Sequence, residues 1–140
     1  MKTALKYPDP LLLSPAKDFD FETDKPLLKE LEAAAKEGFG WGKLVGLAAP
    51  QIGIPKRFFL ALEKMYINPT ITEFSKLTYK TSEGCYSLQE YKNYPVTRHE
   101  WIMLTWQDRG GNVRTKRFNG MRAQVIQHEH DHLLGKLCSG

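Results

Sequence analysis

The chain has 140 residues, 41% of them hydrophobic and 26% charged, the proportions of an ordinary globular protein with enough length to bury a core without disulfide or metal staples. No apolar run approaches the roughly 18 residues that cross a bilayer, and the N-terminal stretch lacks an apolar core of signal-peptide length, so a membrane span and a secretory leader are excluded as expectations. The net charge of +4 is only mildly basic and argues against a specific DNA-binding role.

Without repeats, low-complexity tracts or linker-like stretches, a single domain over 1–140 is expected. The first 22 residues hold three of the eight prolines and should run as loop or a short edge strand. A helix is predicted over 25–37, with Asp24 as its cap, Pro26 in its first turn and Gly38 as its stop. Leu28, Leu31 and Ala35, joined by Leu27 and Ala34, form its inward stripe. Short apolar runs at 57–62 and 65–67 read as strands, the second stopped by Asn68-Pro69, with weaker candidates at 71–74 and 77–81. Runs at 101–107 and 113–118 flank Asp108-Arg109-Gly110-Gly111-Asn112 and predict a hairpin. Arg109, Arg114, Lys116, Arg117 and Arg122 read as its solvated basic face, because no interleaved aromatic platform accompanies them. A last helix is predicted over 120–134, capped by Asn119 and stopped by Gly135. The expected fold class is α+β: antiparallel β-sheets packed around a C-terminal metal-binding helix, with a second helix near the N-terminus.

That last helix contains Gln127-His128-Glu129-His130-Asp131-His132, an H-E-x-x-H spacing. Histidines four apart lie one above the other on a helix, where they can grip one ion while the adjacent glutamate moves a proton. Met121, Val125, His128, Glu129, His132 and Leu133 share the predicted buried face, with His130 and Asp131 off it. Two chance core histidines are the bland alternative, but burying two imidazoles beside a carboxylate is costly unless a cation compensates. A third ligand is needed. Cys138 completes an H-x-x-G-x-x-C continuation that mimics the extended zinc signature of metzincin proteases, whereas Cys85 follows a glycine that permits close backbone approach. Spacing alone leaves both open.

Three ordered motifs carry a resemblance. Leu44-Val45-Gly46-Leu47-Ala48-Ala49-Pro50-Gln51, Glu83-Gly84-Cys85-Tyr86-Ser87 and Gln127-His128-Glu129-His130-Asp131-His132-Leu133 resemble G-x-G-L-A-A-x-Q, E-G-C-L-S and Q-H-E-x-D-H-L of the peptide deformylases. Tyr7-Pro8-Asp9-Pro10-Leu11 resembles the usual start of that family. The resemblance implies a metal-dependent hydrolase that removes the formyl group from N-formylmethionyl nascent peptides. It implies Cys85, His128 and His132 as ligands of one divalent ion, ferrous iron in the cell, with zinc, nickel or cobalt able to occupy purified protein. Glu129 is implied as the general base, and Gln51 with the Tyr86 N–H as the oxyanion donors. Gly46, Val45, Tyr86 and Val125 are implied to line the substrate site, and Arg98 to pair with Glu83 behind the ligands. Leu44 and Tyr86 depart from the family pattern, and the chain ends eight residues after His132, as in compact members without a C-terminal extension.

The resemblance further implies a monomer in the cytoplasm of a bacterium or a phage-infected host, or in an organelle, with a transient ribosome contact and no membrane association. Two rivals remain at the level of residues: a zinc endopeptidase on the same helix, and a metal-stabilised module that docks on ribosomes through the basic face without turnover. Glu129 argues against the second, since a purely structural site needs no base.

Overall fold

A computed structural model describes residues 5–38, 46–84 and 93–138. Helix α1 (Lys25–Ala33) runs on into a π-helical turn, Ala34–Gly38. Then follow β1 (Gly46–Ala48), a short 3₁₀ turn (Ala49–Ile52), β2 (Phe58–Ala61), β3 (Lys64–Phe74), β4 (Thr78–Glu83), β5 (Tyr94–His99), β6 (Trp101–Gln107), β7 (Val113–Asn119) and α2 (Gly120–Leu133). All described pairings between strands are antiparallel. They make a five-stranded sheet in the order β1-β2-β3-β6-β7 and a separate β4-β5 ribbon. The predicted α+β class, with antiparallel sheet around a C-terminal helix, is the observed one.

The two-residue period of the strands divides the core in two. Leu47, Phe58, Leu60, Met65 and Ile67 face one side of the sheet and pack with Leu28, Leu31, Ala34 and Ala35 of the first helix and its π turn. Ala48, Phe59, Ala61 and Tyr66 face the other side, and there they meet Ala123, Val125, Ile126 and Leu133 of α2. With both faces covered, Phe58 to Ala61 are all buried, which is why the segment reads as an unbroken apolar run. Between that sheet and the ribbon lies α2, packed on β1, β2, β6 and β7 and also on β5.

Several sequence expectations need correction. Asp24 makes no side-chain cap on α1; its carboxylate instead accepts the Asp20 N–H at 2.8 Å and pairs with Lys56 at 3.2 Å. Asn119 likewise makes no side-chain cap, and its Oδ1 accepts from Arg117. Asn68-Pro69 does not end the strand. Asn68 takes a left-handed φ of 49°, and a register shift between Ile67 and Thr70 places Pro69 where no ladder N–H is required. The Asn68 side chain holds this bulge by accepting from the Phe19 N–H and donating to the Phe19 carbonyl and Gln107. β5 went unpredicted because Pro95 interrupts its pattern, yet a two-stranded ribbon has only edge strands, and those tolerate proline. Met121 is 67% exposed rather than part of the buried face of α2. The N-terminal segment is a run of turns with one bridge, Lys17 to Lys56, as the loop expectation had it.

Gly135 ends α2 as expected. Its φ of 82° closes a Schellman motif, in which the Lys136 N–H donates to the Asp131 carbonyl and the Gly135 N–H to that of His132. A Cβ there would stand 2.8 Å from the Leu13 backbone, so a side chain is excluded on steric grounds as well.

Candidate metal and catalytic site

His128, Glu129 and His132 present ligand atoms that all lie within 4.8 Å of one another on α2. The imidazole rings meet edge to face at 5.2 Å, one helical turn apart. His132 is buried, and burial, followed by the nearby His128 and Arg98, lowers it to about 3, so its ring stays neutral and able to ligate. Glu129 is buried as well. Desolvation pushes its carboxyl up to about 7, partly opposed by His128, and its Oε1 has no hydrogen-bond partner among the described residues. An orphaned buried carboxylate oxygen beside the neutral His132 ring and a second imidazole fits a divalent cation at this place, since a cation offsets the cost of bringing these groups together out of water.

Gly46, the first residue of β1, lies against this carboxylate. A Cβ on it would come within 2.5 Å of Glu129 Oε2. The absent side chain therefore makes room for the Glu129 carboxylate, a steric reason different from the place in the substrate site that the motif implies. Five residues on, Gln51 is buried in the 3₁₀ turn, where its Oε1 accepts the Ala48 N–H at 2.9 Å. That bond identifies the oxygen end of the amide and leaves Nε2 as its donor end. The Gln51 oxygen thus satisfies a buried backbone donor.

Behind His128 stands a polar network delivered by the ribbon. Glu83 at the end of β4 and Arg98 on β5 lie on the face of the ribbon that meets α2, and both are buried. Arg98 forks onto Glu83, Nε to Oε2 at 2.9 Å and Nη2 to Oε1 at 2.6 Å, while its Nη1 reaches Asp131 at 2.6 Å. Burial alone would raise Glu83, but the hydrogen bonds and charges of Arg98 and His128 overcome it and hold the carboxyl down at about 2. Glu83 is therefore ionised, so the 2.7 Å contact between its Oε1 and His128 Nδ1 makes that nitrogen the donor. The lone pair of a neutral His128 then resides on Nε2. Asp131 was expected off the working face, and Gln124 was not singled out; both touch this network, as does Tyr79 through Gln124. The spacing Gln124, His128, Asp131 is a helical one, and that polar stripe was the available signal.

Val125 lies buried in the apolar cluster beneath α2. Cys138 is not part of the convergent group; it packs with Leu137, Tyr94 and Val96, its Sγ 3.6 Å from the Glu83 carbonyl. Val45, Cys85 and Tyr86, together with Leu44, lie outside the described residues. On the hairpin, Arg109 pairs with Glu32 of α1 and Arg114 with Asp108, and Arg117 stacks on Trp101 at 4.2 Å, so these cations have partners within the fold. A groove of about 700 Å³ between that hairpin and Lys64 contains none of the expected site residues.

The profile of the polypeptide deformylase family matches residues 1–139. The chain belongs to that family. It is 36% identical to the peptide deformylase of Thermus thermophilus over 94% of this chain and 77% of the relative. To the peptide deformylase of Christiangramia forsetii it is 34% identical, over 95% of this chain and 77% of that one. The crystal structure of the Thermotoga maritima peptide deformylase superposes with a TM-score of 0.87 at 34% identity, covering 98% of this chain and 94% of that one. As a peptide deformylase the protein is a metal-dependent hydrolase that removes the N-terminal formyl group from nascent peptides, and the endopeptidase and non-catalytic readings lose their support. No helix among the described residues is long and apolar enough to cross a membrane.

Proposed function

We propose that the reaction is hydrolysis of N-formylmethionyl peptides to formate and a free amino terminus, carried by Glu129 and Gln51 with one divalent ion held by Cys85, His128 and His132. The buried Glu129 carboxylate with an unpartnered Oε1, directly against the two imidazoles, is the observation that carries this reading. When bound, the ion supplies Lewis acidity toward water and the formyl carbonyl. Glu129 removes the proton of the attacking water and returns it to the departing amine, and burial keeps its proton affinity near neutrality, as that exchange requires. Gln51 donates through Nε2 to the oxygen on which negative charge develops, with its other end pinned by Ala48, and the Tyr86 N–H is assigned as the second donor. Gly46 admits the base, Val45 and Tyr86 flank the substrate, and Val125 borders the methionine side chain. Arg98 and Glu83 fix His128 in its Nδ1–H tautomer.

Ferrous iron is the ion we assign in the cell, following the family. Zinc, nickel and cobalt suit the same thiolate and imidazoles, so ligand identity does not select among them. The same reading places the protein in the cytoplasm as a monomer domain, meeting its substrates at or near the ribosome. Formate release from formyl-Met-Ala-Ser tests the central claim. Glu129→Gln is expected to lower kcat by roughly 10²–10⁴-fold while metal content is retained. Wild-type turnover in that variant would remove Glu129 from its role.

A further inference from the structure

We propose that Gln124, held by Tyr79, is a positioning residue for this reaction: it fixes the Glu83 carboxylate, which in turn orients His128. The activity readout below rests on the deformylase reading; the metal readouts do not.

Glu83 receives four donors, two on each oxygen. Oε1 accepts from Arg98 Nη2 and His128 Nδ1, and Oε2 accepts from Arg98 Nε and from Gln124 Nε2, the last at 3.0 Å. The Arg98 fork fixes the plane of the carboxylate, but a fork alone allows the group to slide and tilt. The opposed pulls of His128 on one oxygen and Gln124 on the other remove that freedom. A buried carboxylate that loses one donor also bears a desolvation cost, which it relieves by moving. Movement of Oε1 carries the His128 ring with it.

The amide can do this only in one orientation. Turned over, it would aim its carbonyl at an ionised carboxylate. Tyr79 locks the correct orientation from the far side, its hydroxyl donating to Gln124 Oε1 at 3.0 Å. Tyr79 is the cross-strand partner of Arg98, and Gln124 stands one helical turn before His128. The relay thus ties β4, β5 and α2 together at the ligand histidine, and both polar ends of the Gln124 amide are in use. An apolar residue of the same length at position 124 would fill the space and break the relay.

Cobalt-loaded wild type, Gln124→Met, Tyr79→Phe and the double variant test the relay. The readouts are the visible ligand-field spectrum, the rate of cobalt loss to excess chelator, and kcat and KM for formyl-Met-Ala-Ser. For Gln124→Met we expect an altered spectrum, cobalt loss faster by about tenfold, and a lower kcat at unchanged KM, the behaviour of a broken contact behind a metal ligand. Tyr79→Phe should move each readout the same way by a smaller factor. The double variant should be no worse than Gln124→Met, because the hydroxyl acts through the amide. A wild-type spectrum and chelation rate in folded Gln124→Met, or additive losses in the double variant, overturns the proposal. Should Gln124→Met fail to fold, Tyr79→Phe decides alone, and unchanged metal readouts there overturn it. A wild type that takes up cobalt but releases no formate defeats the deformylase reading and leaves the relay to the metal readouts; one that takes up no cobalt defeats both.

Discussion

At Gly46 the room available for one methyl group decides where the Glu129 carboxylate can sit. A Cβ there meets the Cγ and Cδ of Glu129 at 2.9 Å in addition to Oε2, and the carboxylate is walled in by the core. Since the obstructing atoms belong to a side chain, Gly46→Ala is expected to cost modest stability, about 1–3 kcal/mol, as overpacking does. Its effect on turnover should be larger, of order 10²-fold, because a shift of roughly 1 Å in a catalytic group has that consequence. Parallel urea titration and formate release check this; full activity would show that the Glu129 carboxylate has more space than the structure gives it. The pair His128 and His132, and Glu129 between them, were legible as spacing along one helix. Asp131 was not, because its partner Arg98 sits on a strand 33 residues away and nothing local announces the pairing.

Among the elements, α1 and the loop before it are joined by Asp24 rather than capped by it. The Asp20 N–H, foremost, and Lys56 lower the Asp24 carboxyl below its ordinary range, against an opposing effect of burial. A carboxyl depressed on folding contributes stability that is present at neutral pH and lost as pH falls through its ordinary range toward the lower folded value. Asp24→Asn is therefore expected to destabilise the protein at pH 7 by about 1 kcal/mol, the net worth of the polar contacts removed. The difference from wild type should shrink as pH falls below the ordinary carboxylate range, which thermal melts from pH 7 to pH 3 would reveal; a gap independent of pH would contradict it. Strands β3 and β5 were misread or missed for a related reason. A proline forbids a ladder bond only where one is needed, and whether it is needed depends on a bulge at Asn68 or on an edge at Pro95.

For the molecule as a whole, α2 lies enclosed between the five-stranded sheet and the ribbon, so its polar residues lie where the protein can least afford an uncompensated charge. An ion that binds the folded chain and not the unfolded one couples its affinity to stability. Stripping the metal with chelator is expected to lower the melting temperature. Restoring a divalent ion at about 100 times its Kd should return about 2.7 kcal/mol. Equal melting of stripped and reloaded protein would show that the site folds unaided.

The H-E-x-x-H spacing, the α+β class and the family were legible in the linear chain, because these reside in local periodicity and in ordered motifs. The folded chain alone reveals that Cys138 stands apart from the convergent group, that Gly46 yields its space to Glu129, and that Arg98, Asp131, Gln124 and Tyr79 form one network around Glu83. Each of those depends on which distant surfaces meet across α2, and a buried charge finds its partners only where the packed chain has excluded water.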